Sequence, residues 1–438
     1  MYTVAREQPL AAVLSPQFSE LYCATCFLEI DSSQETEILT CDDCLAVSYC
    51  TLKCQRKDWK SCHQVLFGNY KNPMHISNVL QFECEILRCQ GSSTPMTLTM
   101  KLCIRVLLAS RSTQTPSFNG AVLEDLETNY KEFRSSPEHN QFLSDVLTII
   151  SSSGQNIFPT SLETNKTIGI ICSVLCNSFS IINEKRVEPI GSGLYVGVAK
   201  HNHSCASTSH VVFEGNQVFL RTNQEEYSKE LTISYVSRML PTSERRKTIR
   251  GVHFLTCQCE MCKNEELDLI GLSSKCRTKN CTGFVKGSGN CSVCEKLAFL
   301  PFEQSIHSTL NLLDIIENLH KTNQFTTVQE LAYLQKLRAD YQDILAECNV
   351  AILQLDEQIA YCSSSLENVN DLDLDLIAGR GSEHFITRLG IGAPEVTRRL
   401  YIGCKCISRI SPSKRSVKLV KLIKLAIESS IISHGTHH

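Results

Sequence analysis

Apolar residues recur at helical spacing in two long stretches of the chain, and strand-like runs lie between them. Across residues 75–150, Leu80, Leu87, Leu102, Val106, Leu107 and Leu123 recur as on one face of a helix. Thr167–Val174 is the most apolar stretch and predicts a buried strand or helix. Ile190-Gly-Ser-Gly-Leu-Tyr195 predicts a turn entering a strand. Val211–Phe213 and Val218–Leu220, joined by Glu-Gly-Asn-Gln, predict a β-hairpin. From Glu303 onward the helical period returns, with Leu310, Leu313, Ile316 and Leu319 on one face. Further helices are predicted at Thr327–Ala346, Val350–Cys362, Pro394–Cys406 and Arg415–Ile432, without a clean 34-residue repeat. The expected class is α+β.

The chain has 438 residues, enough for two to four domains, and a net charge of −3. Near-neutral charge offers no strong field to recruit nucleic acid or an anionic membrane. No apolar run reaches the roughly 18 residues of a membrane span, and the start, Met-Tyr-Thr-Val-Ala-Arg-Glu-Gln, lacks a signal-peptide pattern. The 24 cysteines therefore read as zinc ligands where they cluster, rather than as disulfides. The scattered ones, at 84, 89, 103, 172, 176, 348, 362, 404 and 406, read as small buried apolar residues.

Cys23-x2-Cys26, Cys41-x2-Cys44, Cys50-x3-Cys54 and Cys62-His63 are four half-sites, enough for two zincs. Cys257, Cys259 and Cys262 supply three of the four ligands a structural zinc takes, so the fourth comes from elsewhere. Upstream, Asn202-His203-Ser204-Cys205 ends in a cysteine, and Glu230-Leu-Thr-Ile-Ser-Tyr235 lies between the two motifs. Cys276-x4-Cys281 and Cys291-x2-Cys294 flank a glycine-rich turn and read as a zinc ribbon, a candidate fourth site.

These motifs, in this order, resemble the SET and MYND domain-containing family of lysine methyltransferases, and the extra ribbon cysteines resemble its arthropod-type branch. The resemblance implies a β-rich SET core with a pseudoknot, an inserted MYND finger, a helical insert, a post-SET zinc site and a C-terminal helical domain resembling tetratricopeptide repeats. It divides the chain into a core remnant at 1–20, finger 21–68, insert 69–160, SET core 161–243, post-SET motif 244–266, ribbon 270–297 and helical domain 301–438. It implies one zinc on Cys23, Cys26, Cys50 and Cys54, a second on Cys41, Cys44 and His63, and a third on Cys205 with Cys257, Cys259 and Cys262. The family finger ends H-x3-C, but Phe67 stands at that last position, so Cys62 could substitute or water could complete the site. Asp58-Trp59 matches the pair that often precedes the last ligands.

By the same resemblance, S-adenosylmethionine is the methyl donor. Asn177, Asn202 and His203 would face it, and Tyr235 would direct its hydroxyl at the methyl group or the lysine amine. Methyl transfer from a sulfonium needs a neutral amine in line, so the protein supplies mainly positioning and electrostatics. Three departures bear on catalysis. No glycine-rich G-x-G-L segment precedes Val4–Leu14, as expected of a truncated gene model, a splice form or a lost loop. His253 and Leu255 replace two aromatic residues of relatives, and Lys200-His201 replaces an apolar pair, with a buried strand lysine costly unless paired.

The leading expectation is a protein-lysine methyltransferase acting on histone or non-histone proteins, with a possible role in transcription regulation. The rival is a catalytically inactive scaffold binding partners through finger and helical tail. A proline-rich peptide is a candidate finger ligand, as in some relatives. The finger spacing and the lack of a basic reading helix argue against direct DNA binding. Glu244-Arg-Arg-Lys247 reads as a solvated helix face and Asn368–Asp375 as an acidic loop. The expected protein is a monomer, cytoplasmic, nuclear or both.

Overall fold

The computed structural model describes residues 2–30, 38–59, 83–84, 96–110, 118–152, 161–183, 189–222, 230–322, 325–366, 381–391, 393–410 and 417–434. The chain enters as strands β1 (Tyr2–Glu7) and β2 (Ala11–Leu14). A finger follows, with β3 (Leu39–Thr40), β4 (Ser48–Tyr49) and helix α1 (Leu52–Asp58). Next come helices α2 (Leu98–Ala109), α3 (Tyr130–Ser135), α4 (Pro137–Ser152) and α5 (Ser161–Asn177). The apolar stretch at Thr167–Val174 is thus helical. Its chain continues directly into β5 (Ser178–Ile182).

β5, β6 (Pro189–Leu194) and β2 form one antiparallel sheet in the order β2-β6-β5. The second sheet orders β1-β8-β7, with β7 (Ser209–Glu214) and β8 (Gln217–Thr222) forming the expected hairpin. Because β1 and β2 enter different sheets, one short N-terminal segment ties both together. Helix α2 packs on β2 and β6, and its Leu102 and Val106 share a core cluster with Leu143 of α4 and Ile171 of α5, all fully buried. β6 occupies the stretch read as a turn entering a strand, so the strand begins earlier than expected. Its glycines serve close packing instead: a Cβ on Gly191 would come within 2.5 Å of the Val13 carbonyl oxygen and 2.6 Å of the Phe27 ring.

Helix α6 (Val196–Ala199) follows β6. The buried Glu7 carboxylate of β1 accepts its first amides, Gly197 and Val198, each at 2.9 Å. That clamp sets where the next residues, Lys200 to Cys205, leave the core. They run beside a far segment: His203 pairs in parallel with Ile233, the Ile233 amide donates to Asn202, and the Ser204 amide donates back to Ile233.

Beyond them lie α7 (Thr242–His253), α8 (Glu260–Lys263), α9 (Glu265–Gly271) and a small ribbon, β9 (Ser274–Lys275) with β10 (Phe284–Val285). The C-terminal helices are α10 (Phe302–Thr322), α11 (Thr327–Tyr341), α12 (Val350–Ser365), α13 (Ser382–Leu389), α14 (Pro394–Arg409) and α15 (Val417–His434). The predicted helix at Thr327–Ala346 stops at Tyr341, because Ile344 and Ala346 pair with Lys275 and Ser273 at the ribbon's edge. α13 was not foreseen. Leu80, Leu87 and Asn368–Asp375 lie outside the described residues. No described helix is long and apolar enough to cross a membrane.

Candidate active site and zinc centres

Thiols gather in four places. Cys23, Cys26, Cys50 and Cys54 form one set; Cys205, Cys257, Cys259 and Cys262 another; Cys276, Cys281, Cys291 and Cys294 a third; Cys41, Cys44 and Cys84 a fourth. Within each set the sulfurs lie within 4.8 Å of one another. Cys26–Cys50, Cys205–Cys262 and Cys281–Cys291 approach to 3.6 Å, and Cys41–Cys84 to 3.7 Å. A disulfide would require roughly 2.05 Å. Four thiolates on one zinc at ~2.3 Å stand about 3.8 Å apart. The sets therefore fit zinc, not cystine. Thiols packed so closely resist joint ionisation unless a dication sits among them, as the raised Cys26 beside Cys23 illustrates.

Three C-x2-C turns share one geometry. The amides of Phe27, Leu45 and Glu295 donate to the carbonyls of Cys23, Cys41 and Cys291, at 2.9, 2.9 and 3.2 Å. Each donor residue sits in the left-handed region, at φ 61°, 54° and 56°. Side chains avoid that region, so the closed turn holds them there against local preference.

Cys84 is a correction to the sequence reading, which counted it among the core cysteines; it lies 1% exposed against the Cys41 thiol. No spacing rule reaches it, because it stands far beyond the finger's regular pairs. Cys62 and His63, expected at this second site, lie outside the described residues, as does Cys89. The ligand sets expected from Cys23, Cys205 and Cys276 are each brought together.

A second correction concerns the basic run. Glu244 and Lys247 do face solvent, but Arg245 is fully buried. It donates to the Leu240 carbonyl at 2.5 Å, to Thr242 at 2.7 Å and to the Cys262 sulfur at 3.6 Å. Arg246 donates to the carbonyls of Cys257 and Cys262. Four thiolates on Zn2+ leave a net −2, and these guanidiniums answer it. Burial opposes ionisation of Cys259, but amides of Cys262 and Ala206 hold its thiol at about 6.

His203 connects this centre to Tyr235. Its Nδ1 accepts the Tyr235 amide at 2.9 Å, so the proton resides on Nε2, which lies 3.3 Å from the Cys205 sulfur. Burial, with help from His253 and Arg245, lowers His203 to about 4 and keeps it neutral. The Tyr235 ring lies 5.0 Å from His203 and 4.5 Å from His253. Its hydroxyl donates to the His201 carbonyl at 2.7 Å, and burial pushes it up to about 12. A phenol so held is a hydrogen-bond donor, not a base.

Asn202 donates to Glu230 at 2.5 Å, beside an open cavity of about 450 Å³ lined by Val4, Phe118, Asn119, Gly197, His201 and Glu230. Lys200 also borders it. It is a third correction: it caps α6 rather than lying in a strand, and its ammonium is exposed and paired with Asp125 at 3.1 Å. Asn177 ends α5 and donates to the carbonyls of Glu127 and Ser173, each at 2.8 Å. Its neighbour Cys176 reaches toward Val252 and contributes to the Tyr235 shift, so α5 and α7 converge on the tyrosine.

A thiol-rich finger, a two-sheet core with an N-H-S-C segment paired to Ile233, and a four-thiol site joined through His203 to a tyrosine fit a SET-type fold carrying a MYND finger. Residues 23–66 match the MYND finger family. The chain is 25% identical over 340 residues to N-lysine methyltransferase SMYD2-A of Danio rerio, covering 76% of this chain and 67% of that one. It is 24% identical to SMYD2-A of Xenopus laevis, covering 76% and 68%. With histone-lysine N-methyltransferase SMYD3 of Homo sapiens it shares 27% over 277 residues, 60% of this chain and 56% of that one. The matched segments thus span between about half and two thirds of these relatives. The finger match and these relatives support the SET and MYND domain-containing family.

Proposed function

We propose that this protein is an S-adenosylmethionine-dependent protein-lysine N-methyltransferase of histone or non-histone substrates. The observation that carries the reading is the pairing of Asn202-His203-Ser204 with Ile233, which sets the Tyr235 hydroxyl on the carbonyl of His201, a residue that lines the cavity. S-adenosylmethionine, when bound, supplies an electrophilic methyl. In this reading Asn202 and Asn177 offer their amide oxygens to the donor's ammonium, their amide nitrogens being engaged with Glu230 and with main-chain carbonyls. The His203 backbone meets the adenine. Tyr235 lines the lysine channel, and its neutral phenol orients the amine without taking its proton.

A second reading has a specific observation behind it. Tyr235 already spends its hydroxyl on His201, and His253 fills the place of a tyrosine in relatives. On that reading the SET core is a scaffold, and the finger and helical tail bind partners. The finger is an interaction module in either case; a proline-rich peptide is its proposed ligand. We further propose a monomer of the cytoplasm or nucleus from the arthropod-type branch, divided into the seven segments drawn from the sequence.

Calorimetric titration of the zinc-loaded chain with S-adenosylmethionine tests the first reading. Binding near micromolar strength, roughly −8 kcal/mol, followed by methyl incorporation into a protein substrate, supports the enzyme. A folded, metal-loaded chain that gives no heat of binding is a scaffold.

A further inference from the structure

The ribbon built on Cys276, Cys281, Cys291 and Cys294 is used by neither reading of the core. Its strips lie side by side in the order 344–346, β9, β10, 290–292 and 296–298. The near edge is filled. There the Lys275 amide donates to the Ile344 carbonyl at 3.0 Å, and the Ala346 amide donates to the Ser273 carbonyl at 3.2 Å. Leu345 is 1% exposed, and the Asp343 carboxylate pairs with Lys275 at 3.0 Å. An acidic, apolar segment is thus what this ribbon already accepts along one side.

The far edge is open. The Cys291 amide donates to the Lys296 carbonyl at 2.9 Å and the Ala298 amide to the Gly289 carbonyl at 3.2 Å. Leu297, between them, therefore turns its own amide and carbonyl away from the ribbon, and neither finds a partner among the described residues. Ala298 packs on the ribbon's cysteines, while the flanking Leu297 and Phe299 are 77% and 73% exposed. The Arg277 guanidinium lies over the Phe299 ring, 4.7 Å from its centroid. Residues 274–299 hold five basic residues and one acidic, in a chain of net charge −3. Lys275 and Lys286 are engaged by Asp343 and Glu266. Arg277, Lys279 and Lys296 are exposed and meet no carboxylate among the described residues.

We propose that the far edge of the ribbon docks an acidic, apolar segment of a partner protein, which pairs with Leu297 as residues 343–346 pair with β9. An open edge is a template for another chain, with main-chain hydrogen bonds giving affinity and alternate side chains giving specificity. The partner's apolar side chains cover Leu297 and Phe299, and its carboxylates answer Arg277, Lys279 and Lys296. A second copy of this chain fits worse, since pairing edge to edge would bring these cations against their own counterparts. A nucleic acid also fits worse. Three cations neutralise few phosphates, and an exposed leucine beside an open main-chain edge offers it little.

The test uses the full, zinc-loaded chain and a fluorescent peptide of about ten residues that alternates aspartate with leucine. Saturable binding to the wild type is expected in fluorescence anisotropy. Phe299→Ala should weaken it about tenfold. Leu297→Pro, which removes the open amide, should weaken it about fivefold. Lys279→Glu combined with Lys296→Glu should weaken it about tenfold, and more at low salt than at high. Peptides alternating aspartate with serine, or lysine with leucine, should not bind. Every variant is expected to keep its zinc; should Leu297→Pro lose it, Phe299→Ala, which alters only an exposed ring, decides. No binding of the aspartate–leucine peptide overturns the proposal, and so does binding that Phe299→Ala leaves unchanged. Tighter binding of a single-stranded oligonucleotide than of the peptide would give the face to nucleic acid. A wild-type dimer in sedimentation that Leu297→Pro dissolves would give it to a second copy. Either result overturns the proposal.

Discussion

The imidazole of His253 lies against the phenol of Tyr235, with ring centroids 4.5 Å apart and planes inclined by 39°. His253 is the last residue of α7, and the left-handed Phe254 behind it, at φ 54°, turns the chain toward the zinc cysteines. The zinc loop thereby presses one aromatic on the other, while Tyr235 holds the His201 carbonyl. Tyr235→Phe removes that hydrogen bond and leaves the ring contact. The expected cost is about 1 kcal/mol of folding stability, read from denaturant midpoints. A variant as stable as wild type would show that the hydroxyl bond contributes nothing in the fold.

Arg238, three residues past Tyr235, forms a two-pronged pair with Glu395 of α14, at 2.9 and 2.5 Å. It ties the tyrosine segment to the C-terminal helices. Burial raises the Glu395 pKa, but the Arg238 charge and hydrogen bonds more than reverse this and hold it at about 2. Glu395→Gln breaks a largely buried pair and leaves the guanidinium uncompensated, at an expected cost of about 3–5 kcal/mol. A folded pKa below the unfolded one means that the stability is present above pH 4.5 and fades as pH falls toward 2. The gap between wild type and Glu395→Gln is expected to narrow over that window, and a gap independent of pH would refute the assignment.

His210 on β7 is lowered to about 4, first by burial and then by the Arg238 charge, with Glu395 opposing. The fold therefore holds it neutral. Below about pH 6.5 the unfolded chain takes up a proton that the folded chain refuses, so stability is lost as pH falls from 6.5 to 4. The full loss is up to about 3 kcal/mol. His210→Gln is expected to flatten the stability profile over that interval. Equal slopes in both proteins would contradict the shift.

Arg245 offsets the thiolate charge at the Cys205 centre from 3.6 Å. Arg245→Met keeps the length and removes the charge, so the thiolates hold their metal less firmly. Zinc release to a chelator is expected to quicken at least tenfold for one zinc equivalent and to begin at a higher pH. Unchanged release kinetics in a folded variant would leave Arg245 a purely structural arginine.

Leu45 closes the Cys41 turn at φ 54° with its side chain 74% exposed, so it carries left-handed strain and little packing. Leu45→Gly is expected to stabilise the finger by about 1 kcal/mol, since glycine enters that region freely. The parallel change Phe27→Gly, at φ 61° but with a buried ring, should destabilise. If Leu45→Gly also destabilises, the strain is not where the dihedral places it.

What the sequence determined by itself is local or modular. Cysteine spacing announces half-sites because a thiolate pair on a tight turn is a short-range structure. Helices declare themselves where an apolar face repeats, as at Leu310 to Leu319. The order N-H-S-C, I-S-Y, C-x-C-x2-C carried the class of fold. Only the tertiary structure decided which distant groups meet. Cys84 reads as core filler until the segment bearing it is laid against Cys41, and Arg245 reads as a surface charge until α7 turns it onto Cys262. Lys200 reads as a buried cost until α6 puts it in solvent beside Asp125. The glycines of β6 read as the turn before a strand because their reason, the Val13 backbone and the Phe27 ring pressed on Gly191, comes from elsewhere in the chain. Spacing encodes contacts within a turn or two. Burial and pairing across tens of residues depend on the summed packing of sheets, helices and metal centres, which no local pattern contains.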